Sequence, residues 1–165
     1  MEELHEAYLS LGSNIKPEQH LREAIQHLKT QGQISALSQA WQSHAYGVDG
    51  PDFLNACLLF HTPLEANDFV ESVIRPIESA MGRVRGPDKF APRTIDIDLI
   101  LFNDEPYGEE FWSSPFVIVP LAELLPDFPH PLQYENLERV AERMRRHTWI
   151  VPRPEVLDQN GLEPE

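Results

Sequence analysis

Two aspartates, Asp96 and Asp98, lie within an otherwise apolar stretch at residues 95–102. The β-branched and aromatic content predicts a strand, in which residues two apart point to the same face. Two carboxylates held so close repel each other unless a cation lies nearby, and Mg²⁺ prefers oxygen ligands of this kind. The pattern therefore predicts a magnesium site. The alternative is an edge strand whose charges protect it from pairing with another sheet.

The loop before these aspartates gathers basic residues in an acidic chain. Four of the 13 Lys and Arg residues lie here, namely Arg83, Arg85, Lys89 and Arg93. Arginine binds phosphate oxygens through a planar, two-pronged donor set, so the cluster indicates a polyphosphate ligand. Together, the acids and the basic loop are typical of phosphoryl-type transfer. In the alternative interpretation, the arginines only neutralise Asp96, Asp98 and other acids.

Phe53 and Asn55 are two apart on a predicted strand and therefore share a face. An aromatic ring and an amide would suit a flat heterocycle, although core packing and a backbone hydrogen bond are the ordinary alternative. Residues 12–14, Gly-Ser-Asn, offer a weaker signal. Their backbone N–H groups could receive an anion, but a plain strand-to-helix turn is equally consistent.

The elements that must position these residues follow from periodicity and turn signals. Strands are predicted at residues 7–11, 33–44, 53–61, 95–102 and 116–119, and helices at 17–31, 62–82, 120–125 and 136–147. The second helix opens on a capping box at 62–65. Pro76 predicts a kink or break about one turn upstream of it. The order predicts an α+β, ferredoxin-like split βαβ sandwich, mainly antiparallel, with the helices packed on one face.

Composition limits the classes of partner. The 165 residues carry a formal charge of −14, which disfavours nucleic acid and anionic membranes. The single cysteine, Cys57, fits a reducing compartment and is expected to be buried and unreactive. No secretory signal or membrane span is evident, so a soluble, cytoplasmic protein is expected. A monomer is expected as well. Residues 1–150 are predicted to form one domain, and the acidic, proline-rich tail 151–165 is expected to be poorly ordered.

Several segments resemble a known family when they are taken together. The pattern Arg-x-Arg-(x)₇-Arg-Thr-Ile-Asp-Ile-Asp-Leu-Ile-Leu-Phe at 83–102 is similar to the signature of 6-hydroxymethyl-7,8-dihydropterin pyrophosphokinases. Residues 8–14, 51–56 and 119–124 resemble further landmarks of that family in the same order. The resemblance implies transfer of pyrophosphate from ATP to the hydroxymethyl group of the pterin, with release of AMP, in folate biosynthesis.

The resemblance also implies roles for individual residues. Asp96 and Asp98 match positions that hold two Mg²⁺ ions, and Arg83 and Arg93 match arginines that contact the phosphates. Nucleotide contacts are implied for Glu78, Arg85, Lys89, Phe90 and Leu99. Pterin contacts are implied for Ser43, Ala45, Gly47, Phe53, Asn55 and Phe116. Small molecules, pterin and ATP, are thus the expected partners.

One segment departs from the family pattern. Residues 103–115 are shorter than usual and lack a Pro-His pair and a following arginine. This departure leaves an alternative function open, namely a pterin- or nucleotide-binding paralogue with little or no turnover. A further alternative treats Asp96 and Asp98 as a general metal site for nucleotidyl or glycosyl transfer.

Overall fold

The computed structural model of the chain describes residues 3–45, 50–82 and 94–158. Within these ranges the chain forms one seven-stranded antiparallel sheet with helices on both sides. The strands are β1 (His5–Ser13), β2 (Gln33–Leu37), β3 (Ala40–Ser43), β4 (Phe53–Thr62), β5 (Asp96–Phe102), β6 (Glu105–Pro106) and β7 (Ile150–Arg153). The helices are α1 (Pro17–Lys29), α2 (Ala66–Phe69), α3 (Arg75–Ala80), α4 (Pro115–Leu124) and α5 (Leu137–His147), with a π-helical turn (Val70–Ile74) and a 3-10 turn (Glu110–Ser113).

The sheet has the order β6-β5-β1-β4-β3-β7, and β2 also pairs with β4. Its central strand, β1, lies antiparallel to both β4 and β5. This arrangement confirms the α+β, split βαβ class predicted from the order of elements. The predicted second strand at 33–44 is divided into β2 and β3, and Ser38 spans the division, since its hydroxyl accepts from the Cys57 N–H at 2.9 Å.

Two hydrophobic clusters lie on opposite faces of the sheet. On the first, which we call the α1 face, β1 residues Ala7, Leu9 and Leu11 pack with α1 and the α2–α3 helix. On the second, the α4 face, Tyr8 and Cys57 pack with α4 and α5. The prediction that helices cover a single face is therefore wrong. The error began at residues 116–119, where a β-branched run predicted a strand but belongs to α4.

The helix between β4 and β5 is irregular where Pro76 predicts it to be. The π-helical turn Val70–Ile74 separates α2 from α3, directly upstream of that proline. The predicted capping box at 62–65 is wrong, because the helix begins at Ala66 and Thr62 Oγ1 instead accepts from the Leu64 N–H at 3.1 Å. The predicted stop near Gly82 is confirmed by its φ of 85°, which glycine adopts without strain.

Residues after 150 belong to the fold as far as residue 158. Strand β7 pairs antiparallel with β3, and Val156 and Leu157 are buried in the cluster of the α1 face. The expectation of a poorly ordered tail is therefore wrong for residues 151–158, while 159–165 lie outside the described residues. Among the described residues, no helix has both the length and the hydrophobicity to cross a bilayer.

Candidate functional site

The candidate site lies on the α4 face, where β4, β1 and β5 run side by side. Gly12 of β1 pairs with Asn55 on one side and with Asp96 on the other, and Ser10 pairs likewise with Cys57 and Asp98. Directly opposed residues of antiparallel strands point to the same face. Asn55, Asp96 and Asp98 therefore belong to one polar surface, as the spacing of the two aspartates predicts.

The two aspartates are half-buried, and the apolar residues that alternate with them along β5 point to the opposite face of the sheet. Ile95, Ile97 and Leu99 pack in the α1-face cluster, which leaves Asp96 and Asp98 on the α4 face. The alternation ends at a bulge, because Leu9 pairs with Leu99 but Tyr8 pairs with Leu101. Consequently Leu101 joins the α4-face cluster together with Ile100. Strict alternation along the predicted strand 95–102 would place Leu101 on the face of Ile97, and the bulge moves it to the opposite face.

Strand β5 is closed at its outer edge by a buried carboxylate. Strand β6 reaches only Leu101 and Phe102. Further along, the Ile97 N–H donates to Glu78 Oε2 at 2.9 Å, and Glu78 is 1% exposed. At this edge of β5 the carboxylate of Glu78 pairs with the backbone. In the alternative hypothesis of edge protection, Asp96 and Asp98 had that role. Since Leu99 is also buried, these two residues offer a nucleotide little side-chain surface.

Asn55 carries an unsatisfied buried acceptor. Its Oδ1 is buried and has no hydrogen-bond partner among the described residues. Leaving such an atom unpaired costs roughly 1–3 kcal/mol, so each case needs an explanation. A ligand that donates a hydrogen bond at this point would supply the partner. The alternative role, an ordinary backbone bond through that oxygen, is not observed.

Gly12 makes room for the Asn55 amide. A Cβ on residue 12 would lie 2.5 Å from Asn55 Nδ2, closer than real contacts allow. The amide therefore extends across the glycine in the direction of β5. The turn predicted at residues 12–14 begins later than expected, because Gly12 and Ser13 belong to β1. A glycine inside a strand is a known signal for close approach of another group, and this signal was available in the sequence.

The other predicted pterin contacts lie beside Asn55. Ser43 is buried and pairs in register with Phe53, which is half-buried on the α4 face two residues before Asn55. Ala45 is half-buried just beyond the end of β3. Phe116 packs against the α4-face cluster. The carbonyl oxygen of its neighbour Val117 accepts a hydrogen bond from Cys57 Sγ at 3.6 Å. The first turn of α4 therefore lies over β4 close to Asn55.

Trp41 is a neighbour of the site that the sequence analysis missed. It pairs with Asn55 across β3 and β4, and its Nε1 donates to Glu123 Oε1 of α4 at 2.6 Å. The guanidinium of Arg145 lies 4.9 Å from the centre of its ring. Nothing in its local sequence marks it, because its place depends on the pairing of two strands.

The remaining predicted site residues, Gly47, Arg83, Arg85, Lys89, Phe90 and Arg93, lie outside the described residues. Within the described part of the chain, no group of three or more His, Cys, Asp or Glu side chains is placed to hold a metal. Mg²⁺ does not require such a group, because it is commonly bound by one or two carboxylates together with substrate phosphates and water. The pair Asp96 and Asp98 fits this donor set.

Burial alters the acidity of two groups near the site. It raises the pKa of the Cys57 thiol, so this cysteine is a packed, inert side chain, as predicted. Burial is also the main reason that the pKa of Tyr8 is raised, with smaller contributions from the negative charges of Glu6 and Asp104. Neither group is available as a nucleophile or base at neutral pH.

Comparison with known proteins identifies relatives of the chain. The family model described as 7,8-dihydro-6-hydroxymethylpterin-pyrophosphokinase matches residues 8–126. A Synechocystis protein named 2-amino-4-hydroxy-6-hydroxymethyldihydropteridine pyrophosphokinase is 31% identical over 99% of this chain and 89% of its own length. A Methylorubrum extorquens protein of the same name is 38% identical over 73% of this chain and 83% of its own.

Solved structures show the same fold. The HPPK-DHPS crystal structure of wild-type Plasmodium falciparum protein with pteroate superposes with a TM-score of 0.67 at 12% identity. The match covers 87% of this chain and 43% of that one, so the present chain corresponds to less than half of the longer protein. The superposition supports the fold, while the relatives above carry the family assignment.

Proposed function

Because the chain belongs to the 7,8-dihydro-6-hydroxymethylpterin-pyrophosphokinase family, we propose that it takes pyrophosphate from ATP and releases AMP. The acceptor follows from the family and from the relatives' names. The protein is a diphosphokinase that transfers pyrophosphate to 6-hydroxymethyl-7,8-dihydropterin in folate biosynthesis. The ATP donor, the magnesium ions and the residue roles below are our proposal.

The observation that best supports the residue roles is the shared face of Asn55, Asp96 and Asp98. Gly12 pairs with both Asn55 and Asp96, so these two side chains are one strand apart on either side of it. Neighbouring strands lie about 4.8 Å apart, which separates the two groups by roughly 10 Å. A pterin bound at Asn55 would then present its hydroxymethyl group toward phosphates held at the aspartates.

At the pterin end, the orphaned Asn55 Oδ1 is the acceptor for the amino or ring N–H groups of the heterocycle. Phe53 and Phe116 are proposed to lie on either side of the ring, since aromatic stacking suits a flat heterocycle. The backbone of Ser43, Ala45 and Gly47 is proposed to line the rest of the pocket. Shape and hydrogen bonds at this end select the pterin.

At the phosphate end, Asp96 and Asp98 are proposed to hold two Mg²⁺ ions. When bound, such ions would neutralise the charge that develops on the phosphates and would make the acceptor hydroxyl easier to deprotonate. Arg83 and Arg93 are proposed to contact the phosphates and to stabilise charge on the transferred group. Glu78, Arg85, Lys89, Phe90 and Leu99 are proposed nucleotide contacts. For the buried Glu78 and Leu99, this contact would run through the backbone.

The chemical step is an in-line displacement at the β-phosphorus of ATP. The substrate hydroxyl oxygen forms the new bond to that phosphorus, and the bond to the oxygen bridging the α- and β-phosphorus breaks. The AMP leaves with that oxygen, while the hydroxyl proton passes to solvent.

The test is release of AMP by the purified protein supplied with ATP, Mg²⁺ and the hydroxymethyl pterin. Asp96→Asn and Asp98→Asn keep the side-chain size but weaken metal binding, and each should lower kcat roughly 100-fold or more, because metal stabilisation contributes several kcal/mol. Asp104→Asn, on the exposed turn before β6, is the matched control and should leave the rate unchanged. Pterin binding without AMP release by the wild type would refute the proposal.

We also propose that the protein works as a cytoplasmic monomer, in keeping with its composition. Light scattering after gel filtration should give a mass near the 18.9 kDa of one chain. A mass of two chains or more would overturn this part.

A further inference from the structure

The end of β3 is held by the C-terminal segment, which lies beyond the residues matched by the family model. The imidazole of His44 stacks on the indole of Trp149, with ring centroids 4.2 Å apart and planes 11° from parallel. From another direction, His44 Nδ1 lies 3.0 Å from Asp52 Oδ1. The His44 ring is therefore held by two partners that come from different parts of the chain.

A chain of hydrogen bonds connects this pair to β7. Asp52 Oδ2 accepts from Gln42 Nε2 at 2.8 Å, and Gln42 Oε1 accepts from Arg153 Nη1 at 2.8 Å. Gln42 is on β3, Asp52 immediately precedes β4 and Arg153 is on β7. The hydrogen bonds therefore connect β3 and β7 with the residue at the start of β4. We call Trp149, His44, Asp52, Gln42 and Arg153 the C-terminal brace.

The C-terminal brace adjoins the pterin end of the proposed site. His44 stands between Ser43 and Ala45, two of the residues proposed to line the pocket through their backbone. Ser43 is paired with Phe53 on one side and with Ile150 of β7 on the other. A fixed position of the His44 ring thus limits how far the backbone of 43–45 can move away from Phe53.

We propose that Trp149 is a positioning residue for pterin binding, acting through His44 on the backbone of Ser43 and Ala45. The proposal rests on the function proposed above. It assigns the segment after residue 148 a role in the substrate pocket, although the family match ends at residue 126. Trp149 is 45% exposed and is therefore not a core residue, so its replacement is not expected to open a cavity in the core.

The test compares Trp149→Ala with Trp149→Phe, which keeps an aromatic ring to stack on His44. Stacked aromatic pairs contribute modestly beyond their area, so Trp149→Ala should weaken pterin binding roughly two- to tenfold. Calorimetry with the hydroxymethyl pterin and, separately, with a non-hydrolysable ATP analogue gives the two affinities. Trp149→Phe should restore most of the pterin affinity, and ATP-analogue affinity should be unchanged in both.

Two further variants separate positioning from stability. His44→Ala removes the other half of the stack from a side chain that is 66% exposed, and it should reproduce the pterin defect of Trp149→Ala. Tyr134→Ala removes a fully exposed aromatic residue elsewhere and should match the wild type. In steady-state kinetics, Trp149→Ala and His44→Ala should raise KM for the pterin and leave kcat and KM for ATP unchanged.

The outcomes distinguish the two proposals. Wild-type pterin affinity in Trp149→Ala, or an equal loss of pterin and ATP-analogue affinity, overturns the role of Trp149 while the enzyme remains a pyrophosphokinase. A wild-type protein that fails to bind pterin overturns the proposed function and, with it, the positioning role.

Discussion

Two polar regions lie back to back on the same end of the sheet. On the α4 face are Asn55, Asp96 and Asp98. On the α1 face, Gln42, Asp52, Arg153 and Glu18 line a cavity of about 350 Å³. The two regions are close in the sheet, because Asn55 is on β4 while Gln42 is on the neighbouring β3 and Asp52 just precedes β4. They differ in how fully their polar atoms are paired.

In the α1-face region, each of these four side chains has a partner. Arg153 donates to Gln42, Glu18 and Glu155, and Asp52 accepts from Gln42 and His44. On the α4 face, by contrast, Asn55 Oδ1 is buried without a partner in the described residues. Paired polar groups stabilise a fold, whereas a buried acceptor without a partner needs an explanation, for which we propose the pterin. The cavity on the α1 face is therefore lined by side chains that already have hydrogen-bond partners.

The largest effect expected from this contrast is at Asn55. Asn55→Ala should weaken pterin binding by about 10- to 100-fold, since the hydrogen bonds of a buried amide are worth about 1–3 kcal/mol. Because the substitution also removes an unsatisfied atom, the melting temperature should stay level or rise. Calorimetry and thermal denaturation measure the two quantities.

Asn67→Ala is a suitable control for Asn55. It deletes an exposed amide on α2 that accepts a hydrogen bond from Tyr107, and α2 packs on the opposite face of the sheet from Asn55. It should leave pterin affinity intact. If Asn55→Ala instead destabilised the fold and kept its affinity, the α4-face region would be structural, like the α1-face one.

A second, intermediate effect is expected at Gly12. Gly12→Ala would place a Cβ 2.5 Å from Asn55 Nδ2 and force the amide aside. Overpacking of this kind costs about 1–3 kcal/mol of unfolding free energy. The double variant with Asn55→Ala removes the clashing group, so most of that loss should disappear in urea denaturation.

Gly50→Ala serves as the stability control, because among the described residues its new Cβ would meet only Ala45, at an ordinary 3.8 Å. It should unfold at nearly the same urea concentration as the wild type. Strictly additive losses in the Gly12 and Asn55 double variant would show that the two residues do not share space.

The smallest effect is expected in the paired region, at Asp52. Its hydrogen bond with His44, and secondarily that with Gln42, lowers the pKa of the Asp52 carboxyl. A lowered folded pKa stabilises the protein above the unfolded value of about 4 and loses that effect as the pH falls through the folded pKa. Asp52→Asn should therefore cost less than about 1 kcal/mol at pH 7, since the group is partly exposed.

The measurement is urea denaturation of wild type and Asp52→Asn at pH 7, 5, 4 and 3. The difference in unfolding free energy should shrink below pH 4, as the wild-type carboxyl becomes protonated. A difference that is constant with pH would mean that the charge of Asp52 contributes nothing.

Much of the α4-face region was predictable from the sequence because it depends on local periodicity. The two-residue period of a strand places Asp96 with Asp98 and Phe53 with Asn55, whatever the partner strands are. The way these pairs meet across Gly12 depends on strand register, which a single sequence does not specify. The bulge opposite Tyr8 was equally hidden, since residues 99–102 are all apolar.

Tertiary context explains the remaining errors. Residues 117–119 favour a strand by their branched side chains, yet they are buried in α4 between the sheet and the other residues of its cluster. Ser114 and Pro115 stand at the start of that helix, and proline is common in the first turn. Likewise, β7 lies in an acidic, proline-rich segment, and its order comes from pairing with β3.

The single cysteine gives the chain a built-in reporter. Cys57 is wholly enclosed beneath the first turn of α4, in the row of residues next to Asn55 and Gly12. An alkylating reagent reaches its sulfur only when the packing over this part of the sheet, which includes α4, opens. The rate of thiol labelling in the native protein therefore measures how often this surface becomes exposed, and no engineered cysteine is needed.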